Sequence, residues 1–355
     1  MNEKNTHNAE ETAKPFEPRR YHILPGILIC LALAVPANFF GRMFPVVGGP
    51  VIAIIGGILL SLAFPQLAVF RYGDKILLEP GIKYTSKKLL QYSIVLLGFQ
   101  LNFYNLVSVG GQALLLILFA MAIAFLTAFC MSKALKLPGA AGTLIGVGTA
   151  ICGGSAIAAA APAIRAKDEY VSQAVSTIFL FNIIGVLIFP ATGMIFEMSH
   201  QNFGTWAGVA INDTSSVVAA GTAWSIAWGT DEALQVATIT KLTRTLMIIP
   251  VTFALAVYTS RRHGDSSGNF SLAKSFPWFV LFFAAAAVIN TFAGIPAQWS
   301  GGLTDVGRFV IIMAMVAIGL GTNLKKLFSY GFKPILLGAL CWILLAAASL
   351  MVILN

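Results

Sequence analysis

The sequence has very little charge for its length. Of its 355 residues, 10% are charged and 57% are hydrophobic, whereas an ordinary soluble domain has about 25% charged residues. This balance excludes a soluble globular protein and indicates an integral membrane protein. About eleven spans of roughly 20 apolar residues each would occupy most of the chain, which leaves no room for a soluble catalytic domain.

Histidine is scarce and poorly placed for chemistry. The four histidines, His7, His22, His200 and His263, all fall in the predicted tail or loops. No histidine pair can therefore ligate haem or zinc within the bundle, and no intramembrane base is available for a serine nucleophile. We expect no enzyme activity and no cofactor. Four cysteines, Cys30, Cys130, Cys152 and Cys341, lie in apolar stretches without the spacing of a metal site or disulfide framework.

Hydropathy predicts an all-α polytopic protein with a disordered cytoplasmic tail at 1–22 and a single transmembrane domain at 23–355. The expected spans are 23–40, 46–64, 84–101, 111–131, 139–164, 171–196, 203–228, 232–260, 275–293, 305–321 and 334–354.

Positive charge sets the expected orientation. The net charge of +9 comes from basic clusters between the spans, which in a polytopic protein mark cytoplasmic loops rather than a nucleic-acid site. The clusters are at 19–20, 71–88, 133–136, 261–274 and 325–333. Eleven crossings place the N-terminus in the cytoplasm and the C-terminus on the outer side of the membrane. Arg42, Arg165, Lys167 and Arg308 fall on the outer side in this arrangement.

Two internal similarities suggest inverted repeats. Gly98, Asn102 and Leu106 match Gly319, Asn323 and Leu327 at a constant offset of 221, and the two segments belong to spans of opposite direction. Chance similarity between apolar helices is the alternative. A weaker similarity relates the fifth and sixth spans to the seventh and eighth, with an offset that drifts from 62 to 60. Those copies would be parallel unless one broken segment turns back.

The fifth span is too rich in glycine for a regular helix. Seventeen of the 23 residues at 139–161 are Gly, Ala, Ser or Thr. Each glycine inside a helix destabilises that helix by about 1 kcal/mol relative to alanine. We expect a discontinuous helix whose second half begins at 153–155 and directs its amides at an anion. A small-residue face for close helix packing is the alternative.

The seventh and eighth spans contain intramembrane charges. Asp213 lies between Asn212 and Thr214 in the seventh span, and Lys241 and Arg244 lie three residues apart in the eighth. A charged side chain at the centre of a transmembrane helix costs about 2.5 to 3.5 kcal/mol on scales of membrane insertion. Structural ion pairing is one explanation. The other is that the surplus positive charge selects an anion while Asp213 takes H⁺ or Na⁺.

Three motifs in order, at 148–157, 213–221 and 237–244, resemble the YeiH (UPF0324) family of bacterial inner-membrane proteins, whose members are usually called either uncharacterised proteins or sulfate exporters. The resemblance implies a relation to the cation/proton antiporter and anion transporter superfamily, with inverted repeats and broken crossover helices. It also implies a homodimer.

The sequence therefore predicts a secondary transporter of a small anion, such as sulfate or an organosulfonate. The expected substrate-binding residues are Gly148, Thr149, Cys152, Gly153, Gly154, Ser155, Asn182, Asn212, Thr214, Ser215, Lys241 and Arg244, with Asp213 as the ion-coupling acid. Three alternatives stay open: a Na⁺- or H⁺-coupled importer of an organic anion, a membrane subunit of an ion-pumping enzyme complex, and a channel.

Overall fold

The computed structural model describes residues 23–44, 48–64, 71–72, 75–76, 78–263, 277–322 and 331–355. The predicted tail at 1–22 lies outside them. The described chain is helical apart from one antiparallel pair of short strands, β1 (Arg71–Tyr72) and β2 (Lys75–Ile76).

The helices are bounded as follows: α1 Leu24–Met43, α2 Gly49–Ala63, α3 Glu79–Tyr84, a π-helical turn Thr85–Leu89 leading into α4 Leu90–Gly98, α5 Phe103–Ala134, α6 Gly139–Ala150, α7 Gly154–Ala163, α8 Asp168–Ile195, α9 His200–Ala210, α10 Thr214–Trp228, α11 Glu232–Leu246, α12 Ile248–His263, α13 Trp278–Ala293, α14 Ala297–Gly321 and α15 Phe332–Leu354.

Six helical stretches of the described chain are long and apolar enough to cross a membrane, namely α1, α5, α8, α11 with α12, α14 and α15. Four more helices, α2, α6, α7 and α13, are apolar but shorter. The membrane class is therefore supported, while the predicted number of about eleven spans is not established. One reason is that the predicted fifth and seventh spans are each interrupted in the middle.

The second interrupted segment, α9 and α10, folds back on itself. The Phe203 ring stacks on the Trp224 ring with centroids 4.0 Å apart, and Trp224 Nε1 donates to His200 Nδ1 at 3.0 Å. These contacts join the start of α9 to the end of α10. If the two helices continued in line, His200 and Trp228 would be about 40 Å apart, yet their rings are 5.8 Å apart. The segment is a helical hairpin.

The first interrupted segment, α6 and α7, also turns back. A Cβ added at Gly148 in α6 would lie 2.8 Å from Ile157 Cδ1 in α7 and 2.9 Å from Ile178 Cγ1 in α8. The Gly153 amide donates to Gly148 O at 2.9 Å and tightens the turn. The break predicted in the fifth span is observed between α6 and α7. The sequence left open whether the broken segments cross the membrane or turn back, and the contacts in both segments are those of a reversal. A flexible glycine-rich break permits a reversal as readily as a continuation.

The interior divides into two hydrophobic clusters. The first cluster contains buried residues of α5, α6, α7, α9, α12 and α15, and the second contains those of α1, α2, α3, α4, α13 and α14. Helices α8, α10 and α11 contribute one face to each cluster. We call the helices of the second cluster (α1, α2, α3, α4, α13 and α14) the frame, and the remainder, which contains both hairpins, the hairpin body.

Only part of the repeats predicted from the sequence lies within the described residues. Gly98 ends α4, and Gly319 lies two residues before the end of α14, but Asn323 and Leu327 are outside the described residues. The hairpins match at an offset of 60 residues, since their first arms end at 150 and 210 and their second arms begin at 154 and 214. The inverted repeat stays a prediction.

Candidate functional site

The tips of the two hairpins meet inside the protein. A Cβ added at Gly153, in the first tip, would lie 3.3 Å from Asp213 Cβ in the second tip. Gly153 has φ +67 and ψ −130, a conformation that is essentially restricted to glycine. The sequence requirement for glycine here follows from both the turn and the close approach of the second hairpin.

Lys241 of α11 joins the two tips. Its Nζ atom donates to Ile151 O at 2.9 Å and to Ile211 O at 2.8 Å, and the residue is fully buried. Both carbonyls directly follow the first arm of a hairpin. The last carbonyls of a helix have no partner within the helix and carry partial negative charge. The ammonium group therefore satisfies the ends of α6 and α9 together.

Arg244 repeats this role one turn further along α11. Its Nε donates to Ala150 O at 2.6 Å, and its two terminal nitrogens donate to Thr149 O and Val209 O. Arg244 is also fully buried. The spacing of three residues places both cations on one helical face, which explains why one helix can hold both tips. In the described structure they are bonded to carbonyls rather than to Asp213.

Asp213 caps the second arm of the second hairpin. Its Oδ2 accepts from the Ser215 amide at 3.0 Å and also from the Ser215 hydroxyl, which is the usual role of an aspartate at a helix start. The Asp213 amide donates to Asn182 Oδ1 at 3.1 Å, so that α8 holds the same tip. Asp213 is partly exposed, whereas Thr214 and Ser215 are buried.

The first hairpin has no such cap. The α7 helix begins after Gly153 without a side-chain hydrogen bond at its N-cap. Gly154 is partly exposed and Ser155 is exposed. Since the first amides of a helix lack intrahelical partners and carry partial positive charge, this tip has a positive helix end that no side chain caps.

Two buried polar side chains beside the tips have no hydrogen-bond partner within the part of the chain that the structure describes. They are Asn212, through both Oδ1 and Nδ2, and Thr240, through Oγ1. Asn212 directly follows Ile211, and Thr240 directly precedes Lys241. Ile211 and Lys241 are themselves joined by a hydrogen bond from Lys241 Nζ to Ile211 O. A buried amide or hydroxyl without a partner costs about 1 to 3 kcal/mol, so these groups indicate a place where a ligand or water can bind.

The remaining predicted residues are in α6 and at its end. Gly148 is a packing position against Ile157 and Ile178. The Thr149 hydroxyl donates to Ile145 O at 2.9 Å within its own helix, while its carbonyl accepts from Arg244. Cys152 is buried between the arms of the first hairpin. Sequence reasoning could not identify the carbonyls of Ala150, Ile151 and Ile211, because every residue has one.

A family model described as conserved hypothetical protein 698 matches residues 25–338. The chain belongs to the UPF0324 family of membrane proteins. A relative from Streptococcus pyogenes serotype M18, named UPF0324 membrane protein, is 47% identical over 332 residues and covers 92% of this chain and 95% of its own. The Fusobacterium nucleatum UPF0324 protein is 44% identical over 343 residues, with coverage of 92% and 96%.

The UPF0324 protein of Streptococcus agalactiae serotype V is 43% identical over 330 residues and covers 92% of this chain and 96% of its own. No solved structure matches the chain. The family resemblance read from the three motifs is thus confirmed. The names of these relatives give a membrane location and no substrate.

Proposed function

We propose that this UPF0324 protein is a secondary transporter of a small anion, which binds where the two hairpin tips meet. The supporting observation is the charge at the tips. Two helix starts, at Gly154 and Thr214, are brought together with two buried cations and a single carboxylate, Asp213. Positive helix ends directed at a central site are a recurrent means of binding anionic substrates in transporters.

The topology that we propose has two re-entrant hairpins. The first arms, α6 and α9, have 12 and 11 residues, or roughly 17 Å each, which is about half of a hydrocarbon core. The first hairpin enters from the cytoplasm and the second from outside. This arrangement moves Arg165 and Lys167 to the cytoplasmic side and removes two of the four exceptions to the positive-inside rule.

The crossing segments are then α1, α2, α3 with α4, α5, α8, α11 with α12, α13, α14 and α15. The N-terminus is cytoplasmic and the C-terminus lies outside the inner membrane. Irregular backbone at membrane depth is tolerated where it is buried in protein or lines a cavity, and the tips meet this condition because Lys241 and Arg244 satisfy their carbonyls. The homodimer expected from the sequence stays a prediction.

Each tip residue has a distinct role in this proposal. The amides at Gly154 and Ser155 and the unpaired amide of Asn212 contact the anion. Lys241 and Arg244 hold the tips together through hydrogen bonds to their carbonyls. They supply positive charge near the anion without contacting it directly. A tetrahedral sulfur oxyanion, such as sulfate or an organosulfonate, has acceptor oxygens on several sides and suits donors that converge from two hairpins.

A second candidate is a Na⁺- or H⁺-coupled importer of an organic anion. It is favoured by the partly exposed Asp213 carboxylate beside the unpaired amide oxygen of Asn212, because carboxylate and amide oxygens suit a hard cation. In this case Asp213 binds the coupling ion and the anion still occupies the start of α7.

The experiment is thermal stabilisation of the purified protein by sulfate, sulfite, thiosulfate, taurine, carboxylates and Na⁺. A ligand at 100 times its Kd adds about 2.7 kcal/mol. We expect at least one anion to raise the melting temperature of the native protein and of Ser155→Ala, but not of Ser155→Asp, in which a fixed carboxylate occupies the start of α7. Stabilisation by Na⁺ alone would reject the anion site.

A further inference from the structure

A polar cluster joins the hairpin body to the frame, away from the tips. Gln100, just after α4, donates through Nε2 to Asp231 Oδ2 at 2.7 Å. Arg308 of α14 forms an ion pair with the same Asp231 carboxylate. Arg308 also approaches Asp305 of its own helix, with 3.6 Å between Nη1 and Oδ1. Two frame side chains therefore converge on one carboxylate.

Asp231 belongs to the hairpin-body side of this contact. It lies in the turn between α10, the second arm of the second hairpin, and α11, which carries Lys241 and Arg244. Three residues further on, Leu234 is buried and lines a small cavity together with Leu97, Leu101 and Phe283 of the frame and its edge. The cluster thus lies at the junction of the two bodies.

The buried contacts around this cluster are mostly apolar. Leu234 packs with frame leucines, and α10 contributes Val218 and Ala223 to the same interface. Packed apolar helices can slide past one another with little directional resistance, whereas a charged pair with a shared hydrogen bond has one preferred geometry. The Nε atom of Arg308 is buried and has no hydrogen-bond partner among the described residues, so this arginine is only partly satisfied by them.

We propose that Asp231, Gln100 and Arg308 form a latch that holds the hairpin body against the frame in this conformation and opens when the body moves. The inference rests on the proposed transport function, because it is transport that requires the two bodies to change position. The latch residues do not contact the proposed anion site. They act on the conformational equilibrium and serve as positioning residues.

The test uses a buried cysteine as a reporter of separation. Leu234→Cys, in the full-length protein with the exposed Cys130 changed to serine, places a thiol at the junction. Labelling by N-ethylmaleimide is followed by mass spectrometry, with Asp231→Asn compared with Asp305→Asn. Both substitutions remove a carboxylate near Arg308, but only Asp231 reaches across to the other body. Buried Cys341 in the hairpin body reports global unfolding.

We expect Asp231→Asn to raise the labelling rate of the reporter about fivefold, the ratio that corresponds to roughly 1 kcal/mol. Asp305→Asn should leave the rate unchanged, and Cys341 should stay unlabelled in both. The exchanged pair, Asp231→Arg with Arg308→Asp, should return the rate toward that of the native pair. This last variant separates loss of the latch from damage to the turn.

Equal labelling in the Asp231→Asn and native proteins, or an equal increase in Asp305→Asn, would overturn the latch. An increase accompanied by labelling of Cys341 would do the same, since it would show unfolding rather than separation. The readout involves no substrate. A failure of every anion to bind would therefore count against the proposed function. A labelling rate that is the same with Asp231 and with Asp231→Asn would count against the latch.

Discussion

The two hairpin tips are built from similar arms but are completed differently. In the second tip, Asp213 caps its own helix and α8 holds its backbone through Asn182. In the first tip, the α7 helix begins at a glycine with no side-chain cap, and Ser155 is exposed. Both first arms end on the same pair of cations, Lys241 and Arg244.

The difference shows how two hairpins with similar arms can yield an asymmetric site. The shared cations neutralise the negative ends of α6 and α9, so these ends do not repel an anion. The positive end of α10 is occupied by an internal carboxylate, whereas the positive end of α7 is left for a ligand. In the function proposed above, the first tip is therefore the side that would bind the anion, and the second is the side that would respond to a cation.

Removing Arg244 should have the largest effect on stability, because its guanidinium group donates hydrogen bonds to carbonyls at the ends of both α6 and α9. Arg244→Met leaves the carbonyls of Thr149, Ala150 and Val209 without this donor, and we expect a loss of about 3 kcal/mol or more, because each buried carbonyl without a hydrogen bond costs about 1 to 3 kcal/mol. The measurement is the apparent melting temperature in detergent. Arg261→Met, an exposed arginine of α12, is the matched control and should change little.

Adding a side chain at Gly153 should disrupt the first tip and its contact with the second. Gly153→Ala imposes a strained backbone with φ +67 and places a Cβ 3.3 Å from Asp213 Cβ, for an expected cost of about 1 to 3 kcal/mol. Gly139→Ala, at the open start of α6 where nothing lies within 4 Å, is the comparison. Equal melting temperatures for the two variants would show that the tips are not held as described.

Substitution of Asp213 should separate its capping role from its charge. Asp213→Ala loses the cap and about 1 kcal/mol, while Asp213→Asn keeps a good capping side chain and loses only a few tenths. If the second tip binds the coupling ion, any stabilisation by Na⁺ disappears in both variants. Stabilisation by Na⁺ that persists in Asp213→Asn would place the cation elsewhere.

Ser155→Ala should have the smallest effect on stability, within about 0.5 kcal/mol, because the side chain is exposed and caps nothing. A melting temperature as low as that of Gly153→Ala would mean that Ser155 supports the first tip structurally, and the contrast between the tips would fail.

Much of the local chemistry was predictable from the sequence, and the chain path was not. Glycine density located the break before Ser155, and the cost of an intramembrane charge drew attention to Asp213, Lys241 and Arg244. The reversal of each broken segment depends on distant contacts, such as that of Phe203 with Trp224, which no local pattern specifies. The hydrogen-bond partners of Lys241 and Arg244 could not be predicted either, because they are backbone carbonyls and every residue has one.

The latch residues were missed for a related reason. Arg308 was visible as an exception to the positive-inside rule, but its partner Asp231 lies 77 positions earlier in the chain (308 and 231). Only the packing of α14 against the second hairpin brings them together.

The most direct test of the anion site is the electrostatic selectivity of a thiol at the first tip. Ser155→Cys, with Cys130 changed to serine, is treated with methanethiosulfonate reagents that carry either a sulfonate or a trimethylammonium group. The ratio of the two labelling rates is compared with that of a free thiol. We expect the anionic reagent to be favoured about tenfold, equivalent to roughly 1.4 kcal/mol, and sulfate or another stabilising anion to slow it. A ratio equal to that of the free thiol, or one that favours the cationic reagent, would contradict a positive site at the tip.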